Sequence, residues 1–174
     1  MRLFIAIGLP ETVREKLAYA AESLGQQAES ARVVSEENFH ITLVFIGETR
    51  RVDEVQRLMH TVCVTRCDEP FNITISGIGS FRQGKTHRYT WWAGIEAPLE
   101  LYQLEAALSD ALRTEGFAIE KRSYRPHITL ARGVCVNRPI ELAIPTLEVR
   151  TNRISLMRSE RINNHMVYTE IAQA

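Results

Sequence analysis

Two copies of one tetrapeptide, His40-Ile41-Thr42-Leu43 and His127-Ile128-Thr129-Leu130, decide how this chain folds. Around the first copy, residues 39–46 repeat with a period of two, which predicts a β-strand. Because side chains two residues apart in a strand share a face, the isoleucine and leucine of each copy point to one side and the histidine and threonine to the other. Each copy therefore predicts a strand that is anchored in the core by its apolar side and presents His and Thr to a cleft.

The elements that precede the two copies follow one order. Apolar residues 3–7 predict a buried strand, and the helical spacing of apolar side chains over residues 11–27 predicts an amphipathic helix. A strand at residues 89–95 and a helix from about Leu99, ended by Gly116, come before the second copy. The order strand, helix, His-Ile-Thr-Leu strand thus occurs twice, 87 positions apart, and predicts two related lobes.

The middle of the chain adds a helix and a strand. Apolar side chains share one face over residues 53–65, which predicts a helix with Asp53 as its cap. Alternation predicts a strand at residues 71–75, and a glycine-rich loop is expected at residues 77–85.

The carboxyl-terminal part is expected to be a hairpin. One long strand, residues 146–157, should pair with residues 166–171 across a polar turn that contains Asn163 and Asn164. Helices interspersed among strands and hairpins predict an α+β fold. No Gly-Ser linker divides the chain, so a single domain is expected over residues 1–174.

The composition limits the classes of partner. Twenty-one basic residues balance twenty-one acidic ones, so the chain lacks the global field that drives non-specific binding to long nucleic acids or anionic membranes. The three cysteines, Cys63, Cys67 and Cys135, do not have the spacing of a structural zinc site and favour a reduced, cytoplasmic setting. The amino terminus lacks the features of a signal peptide, and no membrane span is expected.

Two histidines and two threonines match the needs of phosphodiester hydrolysis. That reaction requires a base for the attacking water, an acid for the leaving oxygen and donors for the non-bridging oxygens. Because the ordinary pKa of histidine is near 6.5, one imidazole can be neutral and the other protonated near neutral pH, so no metal or other cofactor is required. A single strand histidine beside a threonine is more often an ordinary half-buried pair, but the repetition favours a functional role for His40 and His127.

The chain resembles the 2H phosphoesterase superfamily, which is defined by two His-x-Thr-x motifs. Within it, the chain is similar to the RNA 2′,3′-cyclic phosphodiesterases formerly called 2′-5′ RNA ligases. The resemblance runs nearly end to end, and the stretches that carry it are Arg2–Ile7, Asn38–Leu43, Phe45–Glu48 and Arg125–Arg132.

The resemblance implies a bilobal fold in which two antiparallel sheets, flanked by helices and related by a pseudo-two-fold, enclose an active-site groove. It implies the opening of a terminal RNA 2′,3′-cyclic phosphate to a 2′-phosphate, with His40 as proton donor and His127 as acceptor. Thr42 and Thr129 would hold phosphoryl oxygens. The expected substrates are RNA 3′ ends or nucleotide 2′,3′-cyclic phosphates, and we expect a monomer with no obligatory protein partner.

Three further features near the motifs remain open between a functional and a structural role. Arg132 matches the family's His-Ile-Thr-Leu-Ala-Arg sequence and would contact the phosphate, although simple alternation turns it away from Thr129 unless a bulge intervenes. Phe81, in the expected glycine-rich loop, would stack on the terminal base or serve as a packed anchor. The basic residues Lys121, Arg122 and Arg125 fit an RNA backbone or a solvated loop equally well.

Other functions use the same residues. The substrate could be a small nucleotide cyclic phosphate, and the reverse reaction would join a cyclic phosphate end to a 5′-hydroxyl in a 2′-5′ linkage. A non-catalytic module could use the histidines only to grip an RNA end. A metal site formed by His40, His127 and a carboxylate is a further alternative, which activity in the presence of a chelator would exclude.

Overall fold

A computed structural model describes all 174 residues as nine strands and three helices. The first half contains β1 (Arg2–Gly8), α1 (Glu11–Gln27), β2 (Ser30–Val33), β3 (His40–Glu48), α2 (Val52–Arg66) and β4 (Phe71–Arg82). The second half contains β5 (Tyr89–Glu96), α3 (Leu99–Thr114), β6 (His127–Cys135), β7 (Leu147–Thr151), β8 (Ser155–Ile162) and β9 (His165–Gln173). A single 3-10 turn, Glu36–Asn38, precedes the first motif strand.

The strands form two antiparallel sheets. Four strands follow the order β3-β1-β8-β9, and five follow the order β2-β6-β5-β4-β7. The predicted α+β class with two antiparallel sheets and flanking helices is confirmed. Since β3 is an edge strand of the first sheet and contacts β6 of the second, the two motif strands lie where the sheets meet.

Each sheet forms one lobe, and the strand pairing of the motif histidine is equivalent in the two lobes. His40 pairs with Gly8 on β1, and His127 pairs with Gly94 on β5. The two glycines differ in their surroundings. A Cβ atom on Gly8 would meet nothing within 4 Å, whereas a Cβ atom on Gly94 would lie 2.4 Å from the carbonyl oxygen of Ser76, which closes this position to larger residues.

The core follows from the alternation. Five consecutive residues of β1, from Leu3 to Ile7, are buried, and one continuous apolar cluster extends through both lobes. Helix α1 contacts β2 and β6, whereas α3 contacts both α2 and β3. Burial of each large aliphatic side chain contributes about 1.5–3 kcal/mol to the free energy of folding. The buried Ile and Leu of each motif strand therefore fix the strand, and with it the positions of the His and Thr on its other face.

The prediction of a glycine-rich loop over residues 77–85 was wrong in its extent. Strand β4 continues to Arg82, and only the residues from there to Tyr89 form the turn. Gly77 has φ +70° at a register shift, and Gly79 lies under the ring of Trp92, where a Cβ would approach it to 2.1 Å. The glycines interrupt the side-chain alternation without ending the strand, which is why the pattern looked like a loop.

The predicted single strand over residues 146–157 was also wrong. It is divided into β7, which joins the five-stranded sheet, and β8, which joins the four-stranded one. The backbone N–H of Arg153 donates to the hydroxyl of Thr151 in a local turn that redirects the chain between the sheets. The β8–β9 hairpin itself is as expected, and Asn163 and Asn164 both have positive φ in its turn.

Two smaller differences concern the first half of the chain. Strand β2, which pairs with β6, was not predicted because only four residues form it and most of them are exposed. Helix α2 begins at Val52 after Arg51, so Asp53 lies in the first turn and is not the cap. None of the three helices is both long enough and apolar enough to cross a membrane.

Candidate active site

The two motifs meet along a groove of about 660 Å³ between the sheets. Both motif threonines line it, together with His127, Phe81 and Arg132. His40 does not line the groove directly, since it lies half-buried behind Thr42. The structure therefore brings together both motifs and both secondary candidates, with His40 one side chain deeper than its counterpart.

Both imidazole rings are held by the same backbone contact. Nδ1 of His40 lies 2.7 Å from the carbonyl oxygen of Asn38, and Nδ1 of His127 lies 2.7 Å from that of Arg125. A carbonyl oxygen only accepts, so Nδ1–H is the donor in both rings. Each ring therefore keeps Nε2 for chemistry, as a lone pair when neutral or as an N–H donor when protonated.

The second nitrogens of the two rings differ in their contacts. Nε2 of His40 lies 3.0 Å from the hydroxyl oxygen of Thr42, whose O–H donates when the ring is neutral. Nε2 of His127 makes no hydrogen bond to another residue. The lone pair of His127 is thus available to a water molecule, whereas His40 is already coupled to a threonine in the groove wall.

Burial favours the neutral form of both rings. It lowers the pKa of His40 from 6.5 to about 4; the hydrogen bond to Asn38 works against this, and the charges of Arg132 and His127 add to it. Burial also lowers the pKa of His127, again opposed by its backbone hydrogen bond to Arg125 and reinforced by Arg132. In the free protein at neutral pH, both Nε2 atoms are therefore unprotonated.

Aromatic rings enclose each histidine. The ring of His40 packs against Phe4 at 4.9 Å and edge-to-face against Tyr168 at 5.2 Å between centroids. The ring of His127 meets Phe81 edge-to-face at 5.2 Å. Phe81 lies on strand β4 and not in the loop where it was expected. Its ring is beside a motif histidine. These contacts restrict rotation of both imidazoles and contribute to their desolvation.

Arg132 reaches the groove because β6 contains a bulge. Trp91 pairs with Ala131 and Trp92 pairs with Thr129, which leaves Leu130 as an extra residue. The extra residue reverses the alternation, so Arg132 lies on the side of His127 and Thr129. The sequence left open whether the side chain of Arg132 points toward or away from Thr129. The register of β5 against β6 turns it toward the groove.

The first motif contains the same bulge, and it exposes a residue that simple alternation places on the face of Ile41 and Leu43. Ile5 pairs with Val44 and Ala6 with Thr42, so Leu43 is extra in β3 as Leu130 is in β6. The redirected residue is Phe45, which lines the groove and is 51% exposed. Phe45 and Arg132 are each five residues after a motif histidine, and this equal spacing was a signal that could have identified Phe45.

Tyr124 connects the two motifs. It lies three residues before His127, and its hydroxyl donates a 3.0 Å hydrogen bond to the carbonyl oxygen of Thr42. Burial raises the pKa of the phenol well above its ordinary value, which keeps the donor protonated. No pattern in the sequence indicates this bond, because its partners are 82 residues apart.

The basic cluster before the second motif is divided by the structure. Arg125 is exposed and lines the groove, while Arg122 lines the groove and also forms an exposed ion pair with Glu120. Lys121 does not line the groove.

No three His, Cys, Asp or Glu side chains lie close enough together to hold a metal ion.

Comparison with known proteins identifies the relatives of this fold. The model of the 2′-5′ RNA ligase superfamily matches residues 13–163. The chain belongs to the 2′-5′ RNA ligase superfamily. This confirms the resemblance to the 2H phosphoesterases that the two motifs indicated, and it covers both lobes.

Individual members of the 2′-5′ RNA ligase superfamily match over most of their length. The chain is 34% identical to a Thermotoga maritima protein named RNA 2′,3′-cyclic phosphodiesterase, over 76% of this chain and 70% of that protein. It is 30% identical to a protein of the same name from Methanothermobacter thermautotrophicus, over 98% and 96% of the two chains. Both motif strands lie within the family match.

Solved structures of the superfamily have the same fold. The protein TT0787 of Thermus thermophilus superposes with a TM-score of 0.86 at 28% identity, over 99% of this chain and 96% of that chain. Escherichia coli LigT in complex with 3′-AMP gives a TM-score of 0.82 at 25% identity, with the same coverage. The architecture of two sheets around a groove is therefore common to these proteins.

Proposed function

We propose that this protein is an RNA 2′,3′-cyclic phosphodiesterase, which hydrolyses a terminal cyclic phosphate to a 2′-phosphate without a metal. The names of its relatives support a cyclic phosphodiesterase. The observation that carries the mechanism is the pair of imidazoles from opposite lobes, each held through Nδ1 by a backbone carbonyl and left with Nε2 for proton transfer.

The phosphate is proposed to bind between the lobes. Thr42, Thr129 and Arg132 line one groove, and their hydroxyl and guanidinium donors suit the two non-bridging oxygens of a cyclic phosphodiester. Arg132 supplies the positive charge that a monoanion requires in a partly buried site. Binding of this anion would replace the contact between the hydroxyl of Thr42 and His40 and free Nε2 of His40 for the substrate.

His127 is proposed to be the base. Its Nε2 has no partner in the protein, and the ring is neutral, so it can take a proton from a water molecule in the groove. The water oxygen then forms a bond to phosphorus as the bond from phosphorus to O3′ breaks. The phosphate remains on O2′, which gives the 2′-phosphate.

His40 is proposed to protonate the departing O3′. This requires the imidazolium, which the free site disfavours because burial lowers its pKa to about 4. The bound phosphate brings a negative charge next to the ring and raises that pKa, so protonation accompanies substrate binding. The imidazolium formed in this way donates its Nε2 proton to O3′ as the bond from phosphorus to O3′ breaks.

The nucleoside is proposed to lie against the aromatic wall of the groove. Phe81 offers a ring beside His127, and Phe45 offers a half-exposed ring at the position that corresponds to Arg132. Aromatic side chains stack on any base, so these contacts hold the terminal nucleoside with little dependence on its identity.

The direct test is a turnover experiment. The purified protein is given an oligonucleotide that ends in a 2′,3′-cyclic phosphate, with and without EDTA. We expect a product that has gained one water, loses phosphate on treatment with a phosphomonoesterase and co-elutes with a synthetic 2′-phosphate. A 3′-phosphate product, or activity that EDTA abolishes, contradicts the proposal, and tight binding without conversion would favour a non-catalytic RNA end-binding module.

A monomer is proposed to be sufficient. Every group assigned above comes from one chain. The cellular setting is proposed separately to be the reduced cytoplasm, because the three cysteines form no disulfide. Light scattering coupled to size exclusion, together with specific activity measured across a hundredfold range of protein concentration, checks the monomer. A specific activity that falls on dilution contradicts it.

A further inference from the structure

A second cavity adjoins the groove at His127. It has a volume of about 320 Å³, and four aromatic residues line it: Phe81, Trp92, Tyr102 and Tyr124. Ser76 and Glu96 line one part of it, where the hydroxyl of Ser76 donates to the Glu96 carboxylate at 2.5 Å. We call this cavity the aromatic cleft.

The aromatic cleft lacks the groups proposed to bind phosphate. It shares His127, Phe81, Tyr124 and Arg125 with the groove, but neither motif threonine nor Arg132 lines it. Its volume is near the lower end of the range for ligand pockets, which suits one ring system better than a phosphorylated nucleoside. The cleft is therefore suited to an uncharged, flat group that is attached to whatever occupies the groove.

The residues around the cleft suit a nucleobase of an RNA strand. Tyr102 meets Tyr124 edge-to-face at 6.0 Å and remains 42% exposed on the first turns of α3, so one ring surface is free. Arg125 is exposed at the junction of groove and cleft, where it can contact a phosphate that connects two nucleotides. Proteins bind single-stranded nucleic acid by combining aromatic surfaces, on which bases stack, with cationic side chains that contact the phosphate backbone.

We infer that the aromatic cleft binds the base of the nucleotide on the 5′ side of the cyclic phosphate end. The inference rests on the proposed function, because it takes the cyclic phosphate to lie in the groove. The substrate class is then an RNA end of at least two nucleotides, in preference to a cyclic mononucleotide. Stacking on the cleft is insensitive to sequence, so the preference concerns the presence of a base and not its identity.

The experiment compares two dinucleotides that both end in a 2′,3′-cyclic phosphate and differ only at the 5′ residue, which carries a base or is abasic. Both retain the connecting phosphate, so the comparison isolates the base. For the wild-type protein we expect kcat/KM to be about tenfold higher with the base. Tyr102→Leu should reduce this ratio to less than threefold, and Tyr102→Phe, which retains the ring, should restore it.

The outcomes separate this inference from the proposed function. A ratio near one in the wild-type protein, or an unchanged ratio in Tyr102→Leu, overturns the cleft as a base site. Failure to hydrolyse either dinucleotide overturns the proposed function itself. Tyr19→Ala, which changes a tyrosine of α1 that is 79% exposed and lines neither cavity, serves as the control and should keep the tenfold ratio.

Discussion

The hydroxyl of Tyr124 donates a hydrogen bond to the carbonyl oxygen of Thr42, and this bond joins the segment before the second motif to the backbone of the first motif. The next residue, Arg125, uses its carbonyl oxygen to hold the ring of His127. The segment before β6 thus positions both motifs at once. The separation of the two histidines depends on it, in addition to the contact between β3 and β6.

Replacement of Tyr124 by phenylalanine should lower kcat about tenfold and leave KM within twofold, because small displacements of catalytic groups are costly while binding groups are retained. The free energy of unfolding should fall by only about 1 kcal/mol. Tyr102→Phe, which removes the hydroxyl of the tyrosine that meets Tyr124 edge-to-face, is the matched control and should retain kcat. Equal kcat values for the two variants would show that Tyr124 only packs.

Loss of either motif histidine should strongly reduce turnover. We expect His40→Ala and His127→Ala each to reduce kcat by about a thousandfold while circular dichroism shows a folded protein, since each removes one proton transfer. The double variant should be little worse than the single ones, because acid and base act in one step. Turnover close to wild type in either folded variant would eliminate the two-histidine mechanism.

Arg132 should contribute mainly to binding of the phosphate. Arg132→Ala should lower kcat/KM about 10- to 100-fold, the range expected for loss of a charged hydrogen bond. Arg132→Lys should recover only part of this, because lysine cannot form the paired contacts of a guanidinium. Arg150→Ala, on the exposed side of β7, provides the control for loss of one positive charge. An effect of Arg132→Ala no larger than that of the control would place the arginine outside the site.

Stability should depend on pH through His40. Its pKa is about 4 in the folded protein and 6.5 for the unperturbed group, so the unfolded chain binds a proton first as the pH falls. The free energy of unfolding should therefore decrease between pH 6.5 and pH 4, by on the order of 3 kcal/mol from this residue.

Urea denaturation at pH 7, 5.5 and 4 measures this dependence. His40→Gln should have a flatter profile than the wild type, and His165→Gln, which changes an exposed histidine of the β8–β9 hairpin, is the control. If His40→Gln and the wild type lose stability equally on acidification, His40 is not the residue responsible.

Gly79 should tolerate no side chain. A Cβ there would lie 2.1 Å from the ring of Trp92, which packs on Phe81 beside His127. We expect Gly79→Ala to destabilise the protein by about 1–3 kcal/mol and to alter the tryptophan fluorescence. Gly8→Ala, where nothing lies within 4 Å of the new carbon, is the comparison. A loss in Gly79→Ala that is no larger than in Gly8→Ala would mean that Trp92 moves freely.

Periodicity was sufficient for the features that depend on local sequence. The two His-Ile-Thr-Leu segments predicted their strands and the side that faces the core, because alternation follows from backbone geometry alone. Helices α1 and α3 were predicted with bounds close to those observed, because their apolar spacing is regular. The repeated order of elements also indicated two lobes, which the matching registers of His40 with Gly8 and His127 with Gly94 bear out.

Tertiary structure alone decided which side chains meet in the groove. The bulges at Leu43 and Leu130 turn Phe45 and Arg132 to the histidine side, and a bulge exists only relative to the strand with which it pairs. The bond from Tyr124 to Thr42 and the division between β7 and β8 likewise depend on segments far apart in the chain. Local sequence determined the two motif strands, whereas the pairing of distant strands determined how their side chains form one site.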